Sequence, residues 1–173
     1  MNEVTRPEGI EPRHIHEAHG SGIMTWGGVV LLGVLLIVAL CGVFGKTTTL
    51  ADAGEGVKLT IEGPKRIRSG EYFEMMFTIE TEREIKDAVL SVDADVWHDF
   101  TVNTMIPAAT EEGFENGSFD FHYGALPPGT RLLVKVDGQV NPRYPPGPNQ
   151  GAIEVTDGPA TLASIDYTIM VFP

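Results

Sequence analysis

The sequence predicts a mainly β protein: an antiparallel two-sheet β-sandwich preceded by one transmembrane helix. Three observations predict it. Apolar and polar residues alternate at period two through much of residues 57–173. Turn dipeptides and proline–glycine clusters recur between those runs. Residues 23–45, IMTWGGVVLLGVLLIVALCGVFG, carry no charge at all.

The chain begins with a polar arm, residues 1–22. Arg6 and Arg13 stand against Glu3, Glu8, Glu11 and Glu17, a net charge of −2. The arm reads as flexible, because so few apolar residues cannot offset the entropy of ordering it. Its one suggestive feature is His14-x-His16-x-x-His19 with Glu17 between. Imidazoles at that spacing suit zinc, copper or nickel. A histidine tract is only a compositional signal, and a mobile arm gives its imidazoles no supporting shell. These three histidines are therefore weak metal candidates.

The uncharged run Ile23 to Gly45 follows. As a helix it would rise roughly 34 Å, enough for the hydrocarbon core of a bilayer. Trp26 suits an interface at one end, and Lys46 marks the other. A cleaved signal peptide is the rival reading, with Ala51-Asp52-Ala53 as a small-x-small site. Its apolar region would normally be shorter, about 7–15 residues. Leu40 before Cys41 departs from the lipoprotein pattern, so Cys41 reads as a helix filler. Two cations precede the helix (Arg6, Arg13) and two follow closely (Lys46, Lys58). With that tie the short arm sets the default: residues 1–22 cytoplasmic, residues 46–173 extracytoplasmic. Residues 46–56 read as a linker of at most ~35 Å when extended.

From Val57 the strands come in order. Val57-Lys58-Leu59-Thr60-Ile61-Glu62 alternates and is closed by Gly63-Pro64. Tyr72 to Ile79 follows Ser69-Gly70, and Ile85 to Val92 is a third strand. Phe100 to Ile106 is a fourth, stopped by Pro107. Residues 108–116, AATEEGFEN, read as a loop, and Asn116-Gly117 as a tight turn. Phe119 to Tyr123 alternates again, then Leu126-Pro127-Pro128-Gly129 turns the chain. Leu132 to Val140 is the longest strand. Residues 147–151 read as a proline- and glycine-rich loop, Ala152 to Val155 as a short strand, and Thr161 to Val171 as the last, with Ile165, Tyr167, Ile169 and Val171 on one face. Seven or eight short strands without a useful helix indicate a sandwich, with a closed small barrel as the alternative.

Charge and chemistry exclude several functions. The whole chain carries −12 and the segment 46–173 carries −10. Such a surface argues against nucleic acid, which needs a basic face to displace counterions, and against anionic lipid heads. One cysteine excludes an internal disulfide and a thiolate zinc cluster. The β segment offers His98, in Asp95-Val96-Trp97-His98-Asp99, and His122, between Phe121 and Tyr123. Neither stands beside a glycine-framed serine or a phosphate loop, and Glu111-Glu112 sits on a presumed loop, a poor mount for a fixed acid and base. The sequence therefore predicts no enzyme and no cofactor. Copper is the livelier alternative, since Met75, Met76 and Met105 with His98 and His122 supply suitable ligands. Met75 and Met76 are adjacent on a strand and so face opposite ways, which leaves at least one as core. A calcium site from Asp87, Asp93, Asp95 and Asp99 lacks a glycine-hinged loop of alternating oxygens.

Five segments in order carry a family resemblance: Ile61-Glu62-Gly63-Pro64, Ser69-Gly70-Glu71, Phe77-Thr78-Ile79, Gly124-Ala125-Leu126-Pro127-Pro128-Gly129-Thr130 and Gln139-Val140-Asn141-Pro142. Together they resemble the bacterial extracytoplasmic immunoglobulin-like repeat domains, with Glu80-Thr81-Glu82 where that family usually has Asn-x-Gly. Trp97 stands without cysteine neighbours, so the likeness is one of layout only. The anchor and domain together also resemble bacterial single-pass membrane proteins. The resemblance implies an immunoglobulin-like sandwich outside the cytoplasmic membrane, in the periplasm or at the cell exterior, used for binding rather than chemistry. The expected partners are the lipid bilayer and other membrane protein subunits, with the chain as an accessory subunit. An extracytoplasmic copper- or other metal-binding protein is the alternative.

Overall fold

The computed structural model describes residues 22–40, 47–142 and 146–173. It divides into two units, residues 1–44 and 45–173.

The first unit contains helix α1, Gly22–Leu40. Its 19 residues carry no charge. Four consecutive side chains, Val29, Val30, Leu31 and Leu32, are each 57–62% exposed. Successive residues step about 100° around a helix, so those four alone cover most of its circumference. At 1.5 Å per residue α1 rises about 28 Å. It ends five residues before Gly45, and residues 41–46 lie outside the described residues. No helix among the described residues is long and apolar enough to cross a membrane. The histidines His14, His16 and His19, Cys41 and Lys46 also lie outside the described residues.

The second unit is mainly β, with eleven strands described. They are β1 (Thr47–Gly54), β2 (Val57–Pro64), β3 (Arg66–Arg68), β4 (Tyr72–Thr81), β5 (Ala88–Asp93), β6 (Phe100–Ile106), β7 (Glu111–Glu115), β8 (Ser118–His122), β9 (Arg131–Val140), β10 (Gly147–Asp157) and β11 (Ala160–Phe172). One sheet has the order β1-β2-β4-β9-β6, the other β3-β11-β10-β5-β8-β7. All pairings are antiparallel except β3 with β11.

The alternation read from the sequence decides which face is buried. Val57, Leu59 and Ile61 of β2 and Phe73, Met75, Phe77 and Ile79 of β4 point inward from the first sheet. Val134, Val136 and Val140 of β9 join them. Leu90, Val92, Ile153, Val155, Ile165, Tyr167, Ile169 and Val171 answer from the second sheet, and both sets share one core. Burying a side chain of this size is worth about 1.5–3 kcal/mol, so this shared face is what holds the unit without disulfides.

Three expectations are corrected. Residues 47–54, expected as linker, form β1, paired with β2 at eight positions. A strand at a sheet edge needs little apolar content when its ladder is complete, and Leu50 alone adds a partly buried apolar side chain. Residues 111–115, expected as loop, form β7 in a hairpin with β8. Asn116 (φ 50°) and Gly117 (φ 87°) make its two-residue turn, a left-handed pair that asparagine and glycine accommodate best. Residues 147–151, also expected as loop, form the first half of β10, because β11 supplies a ladder as far as Val171.

The two edges of the sheets differ. On one side the chain passes from β2 to β3 and so from sheet to sheet. There Tyr167 Oη donates to the Pro64 carbonyl at 3.2 Å, and the Ser164 amide donates to Asp52 Oδ2 at 3.0 Å. The other side is bounded by β6 and β7, each the terminal strand of its sheet.

Candidate binding cleft

Between β6 and the β7–β8 hairpin lies a cleft of about 420 Å³. Trp97, Phe119 and Phe121 line it from the core side, Phe100, Val102 and Met105 from β6, and Glu112 and Gly113 from β7. An apolar cleft with few converging polar groups is the ordinary form of a binding site.

The rings form a cluster around Trp97 and a separate pair, Phe73 with Phe100. Trp97 lies 5.8 Å from Phe121, 6.2 Å from Phe119 and 6.5 Å from Phe77 between centroids. Phe114 stands 5.0 Å from Phe119, and Phe100 5.0 Å from Phe73. Such offset or tilted pairs add about 0.5–1.5 kcal/mol each beyond area burial.

Trp97 sits in the turn between β5 and β6, and its position is fixed by backbone clamping. Asn149 of β10, 3% exposed, donates through Nδ2 to the His98 carbonyl at 2.6 Å and to the Val96 carbonyl at 3.3 Å. Those carbonyls flank Trp97 on either side. The Val96 amide donates to the Asp93 carbonyl, the Ala94 amide to Gly117 and the Phe100 amide to Trp97. Trp97 is 6% exposed, yet its indole N–H has no hydrogen-bond partner among the described residues. A buried donor left without an acceptor costs about 1–3 kcal/mol.

Glu112 faces the interior side of its sheet. The hairpin register sets it opposite Phe121, which in turn pairs with Leu90 of the core. Directly paired residues share a face, so Glu112 and Phe114 project toward the cleft. Near them Tyr123 Oη donates to Met105 Sδ at 3.1 Å. Burial first, and then the charge of Glu112, push the Tyr123 phenol up to about 12. Lys135 of β9 pairs with Ile106 at the end of β6. It is committed to Glu74 at 2.7 Å and Asp137 at 3.5 Å, and the hydrogen bond it donates to Glu74 holds its pKa above the usual lysine value.

The two described histidines among the expected metal candidates, His98 and His122, each lie against a carboxylate of their own. His98 Nδ1 lies 3.0 Å from Asp99 Oδ2, and His122 Nδ1 lies 2.8 Å from Asp87 Oδ2. Asp93 Oδ1 accepts from the Asp95 amide, and the Asp87 amide donates to Asp157 Oδ1. Among the described residues no three His, Cys, Asp or Glu side chains come together as a metal site. Met75 is fully buried in the core and Met76 faces the other way, while Met105 lies beneath Tyr123. A second depression, of about 530 Å³ near the β1–β2 turn, is lined by Lys58, Glu80, Glu82 and Arg131. Its charges are exposed and largely paired with one another, as in Lys58–Glu80 and Arg131–Glu80 at 3.7 Å, and it lacks the convergent rings of the cleft.

Sequence reasoning named Trp97 only for its missing cysteines and set Glu112 aside as a loop residue; it did not single out Asn149. No protein-family model and no curated protein matches the chain. Among solved structures the chain is similar to Pseudomonas fluorescens alkylpurine DNA glycosylase AlkC bound to DNA containing an abasic site analog, at 14% identity and a TM-score of 0.31. The match covers 62% of this chain and 28% of that one, and a likeness at that TM-score carries no argument about fold or function.

Proposed function

We propose that the chain is a membrane-anchored, non-catalytic interaction module, an accessory subunit of a larger bacterial membrane complex. On this reading residues 23–45 span the membrane and the two-sheet body, of immunoglobulin-like layout, lies on the extracytoplasmic side. The observation that carries it is the surface of α1, apolar and exposed around its circumference with no polar face to offer water. The described part, about 28 Å long, is close to the ~30 Å of the hydrocarbon core. The lining of the cleft in the second unit supports reading that unit as a binding module. Its cleft is lined mainly by rings and by one carboxylate, Glu112, a lining suited to contact. The alternative, a metal-binding protein, rests on His98 and His122, which are held by separate carboxylates.

Two measurements test the reading. Membranes carrying the protein are washed with alkaline carbonate; the chain is expected in the pellet, and release into the supernatant overturns the anchor. A photo-reactive residue is then placed at Val102 beside the cleft, or at exposed Lys58 away from it. Cross-linking to one membrane protein from Val102 and not from Lys58 is expected. Equal labelling from both, or a lone 18.7 kDa species in mild detergent, overturns the subunit reading.

A further inference from the structure

The mouth of the cleft combines an unpaired strand edge with a charge that faces the wrong way for a core. β6 ends its sheet, so among the described residues one row of its backbone N–H and C=O groups has no neighbouring strand. Its side chains are mostly exposed, including Val102 and Ile106. Opposite it, the inward position of β7 carries Glu112 rather than an apolar residue. Glu112 is the one charged residue among those described that line the cleft. Glu111 and Glu115 of the same strand are exposed and alternate to its other face.

We infer that this cleft binds an extended, positively charged segment of the partner, which adds as a strand to β6 and lays a lysine or arginine side chain across the Trp97–Phe119–Phe121 rings toward Glu112. The inference rests on the interaction-module reading and names the partner's chemistry. Three features point to it. A free strand edge is satisfied by an extended peptide, whose main chain supplies the missing hydrogen bonds. Aromatic faces attract a cation through their quadrupole, and a carboxylate beside them adds direct charge pairing. A second copy of the chain is the occupant the charge opposes, since each copy carries −12 and its acidic surface would meet Glu112 with like charge.

An inward carboxylate on an edge strand has another use, which is to keep strands of neighbouring molecules from pairing. Charge reversal separates the two. A protective charge works with either sign, whereas a binding charge sets the sign of the ligand.

The test uses the full chain in uncharged detergent micelles, with Trp26→Phe so that emission reports Trp97 alone. The probe is a capped seven-residue peptide alternating valine with lysine. Controls carry glutamate in place of lysine, or N-methyl groups on alternate amides. The lysine peptide is expected to shift Trp97 emission saturably and to bind at least about tenfold more tightly than the glutamate peptide. N-methylation is expected to abolish binding. Glu112→Gln should shrink the preference to about threefold or less, and Glu112→Lys should reverse it. Equal binding of the two charges, undiminished binding of the N-methylated peptide, or an unchanged preference in Glu112→Lys overturns the inference. Self-association through the β6 edge in sedimentation does the same. If carbonate washing and Val102 cross-linking succeed while no cationic peptide binds, the module reading stands and this inference alone falls.

Discussion

Replacing Trp97 by phenylalanine and by alanine should give opposite lessons about the cleft. The indole is 94% buried, and tryptophan side chains in such sites bury roughly 150–250 Å². Truncation to alanine removes nearly all of that and opens a cavity beside Phe77, Phe119 and Phe121, at a cost of about 3–5 kcal/mol. Phenylalanine removes only the outer part of the ring system. At ~25 cal/mol per Å² the loss of roughly 40 Å² costs about 1 kcal/mol. It also removes the indole N–H, whose lack of an acceptor costs about 1–3 kcal/mol in the native protein. The two effects offset, so Trp97→Phe should lie between unchanged stability and a gain of about 2 kcal/mol. Urea unfolding of the full chain in uncharged micelles, followed by the β-sheet signal in circular dichroism, reads the difference. With a denaturant slope of about 2 kcal/mol/M, alanine should lower the midpoint by about 2 M while phenylalanine holds it or raises it by up to about 1 M. A phenylalanine variant that loses half or more of what alanine loses would refute the reasoning. It would mean that the N–H is satisfied, or that the ring contacts depend on the whole indole.

Other outcomes follow from the same contacts. Asn149→Ala should destabilise by about 1–3 kcal/mol, because the Val96 and His98 carbonyls lose their shared donor; Asn149→Asp should cost more, since it turns a carboxylate oxygen toward those carbonyls, and urea midpoints rank the two. Replacing residues 47–54 with a glycine–serine run of equal length should lower the unfolding midpoint markedly, because β2 loses a ladder of eight paired positions; an unchanged midpoint would restore the linker reading. Tyr123 should ionise at about 12 in an ultraviolet titration, and Glu112→Gln should lower that value modestly, because burial and not the glutamate is the larger cause. A phenol whose folded-state pKa is raised from 10.0 favours the folded state fully below pH 10, and that contribution is lost as pH rises toward about 12. Stability should therefore fall across that window, and less steeply in Tyr123→Phe.

The parts of the fold that were legible are those where one face is buried. In β2, β4, β9 and β11 the period-two pattern is written in valine, leucine, isoleucine and phenylalanine, and the structure buries those positions. The strands that were missed have another source of order. Thr47–Gly54 contributes little to the core, and its hydrogen bonds to β2 make it a strand. In residues 147–151 glycine and proline argue for a turn when read alone, but β11 is long enough to pair with them. Local sequence carries propensity; it does not show that a partner strand extends past the end of an apolar run. Asn149 shows the same limit. A polar residue in a Pro–Gly stretch looks exposed until the turn it clamps is folded over it.

The cleft was closer to legible than these strands. Asn116-Gly117 was recognisable as a two-residue turn, and such a turn fixes the register of everything before and after it. It sets Glu115 against Ser118, and hence Phe114 against Phe119 and Glu112 against Phe121. Phe119 and Phe121 are alternate, apolar and so core-facing. Counting back through the turn therefore places Glu112 and Phe114 on the same inward face before any coordinates exist. Two consecutive glutamates and a glycine hid this, because Glu111-Glu112-Gly113 has poor strand propensity and no apolar alternation of its own. What the sequence does not yield at all is Trp97. Its approach to that face depends on the turn between β5 and β6 and on a clamp from residue 149, some fifty positions away. The hairpin half of the cleft follows from two-residue turn geometry, whereas the tryptophan half exists only once the second sheet has closed over it.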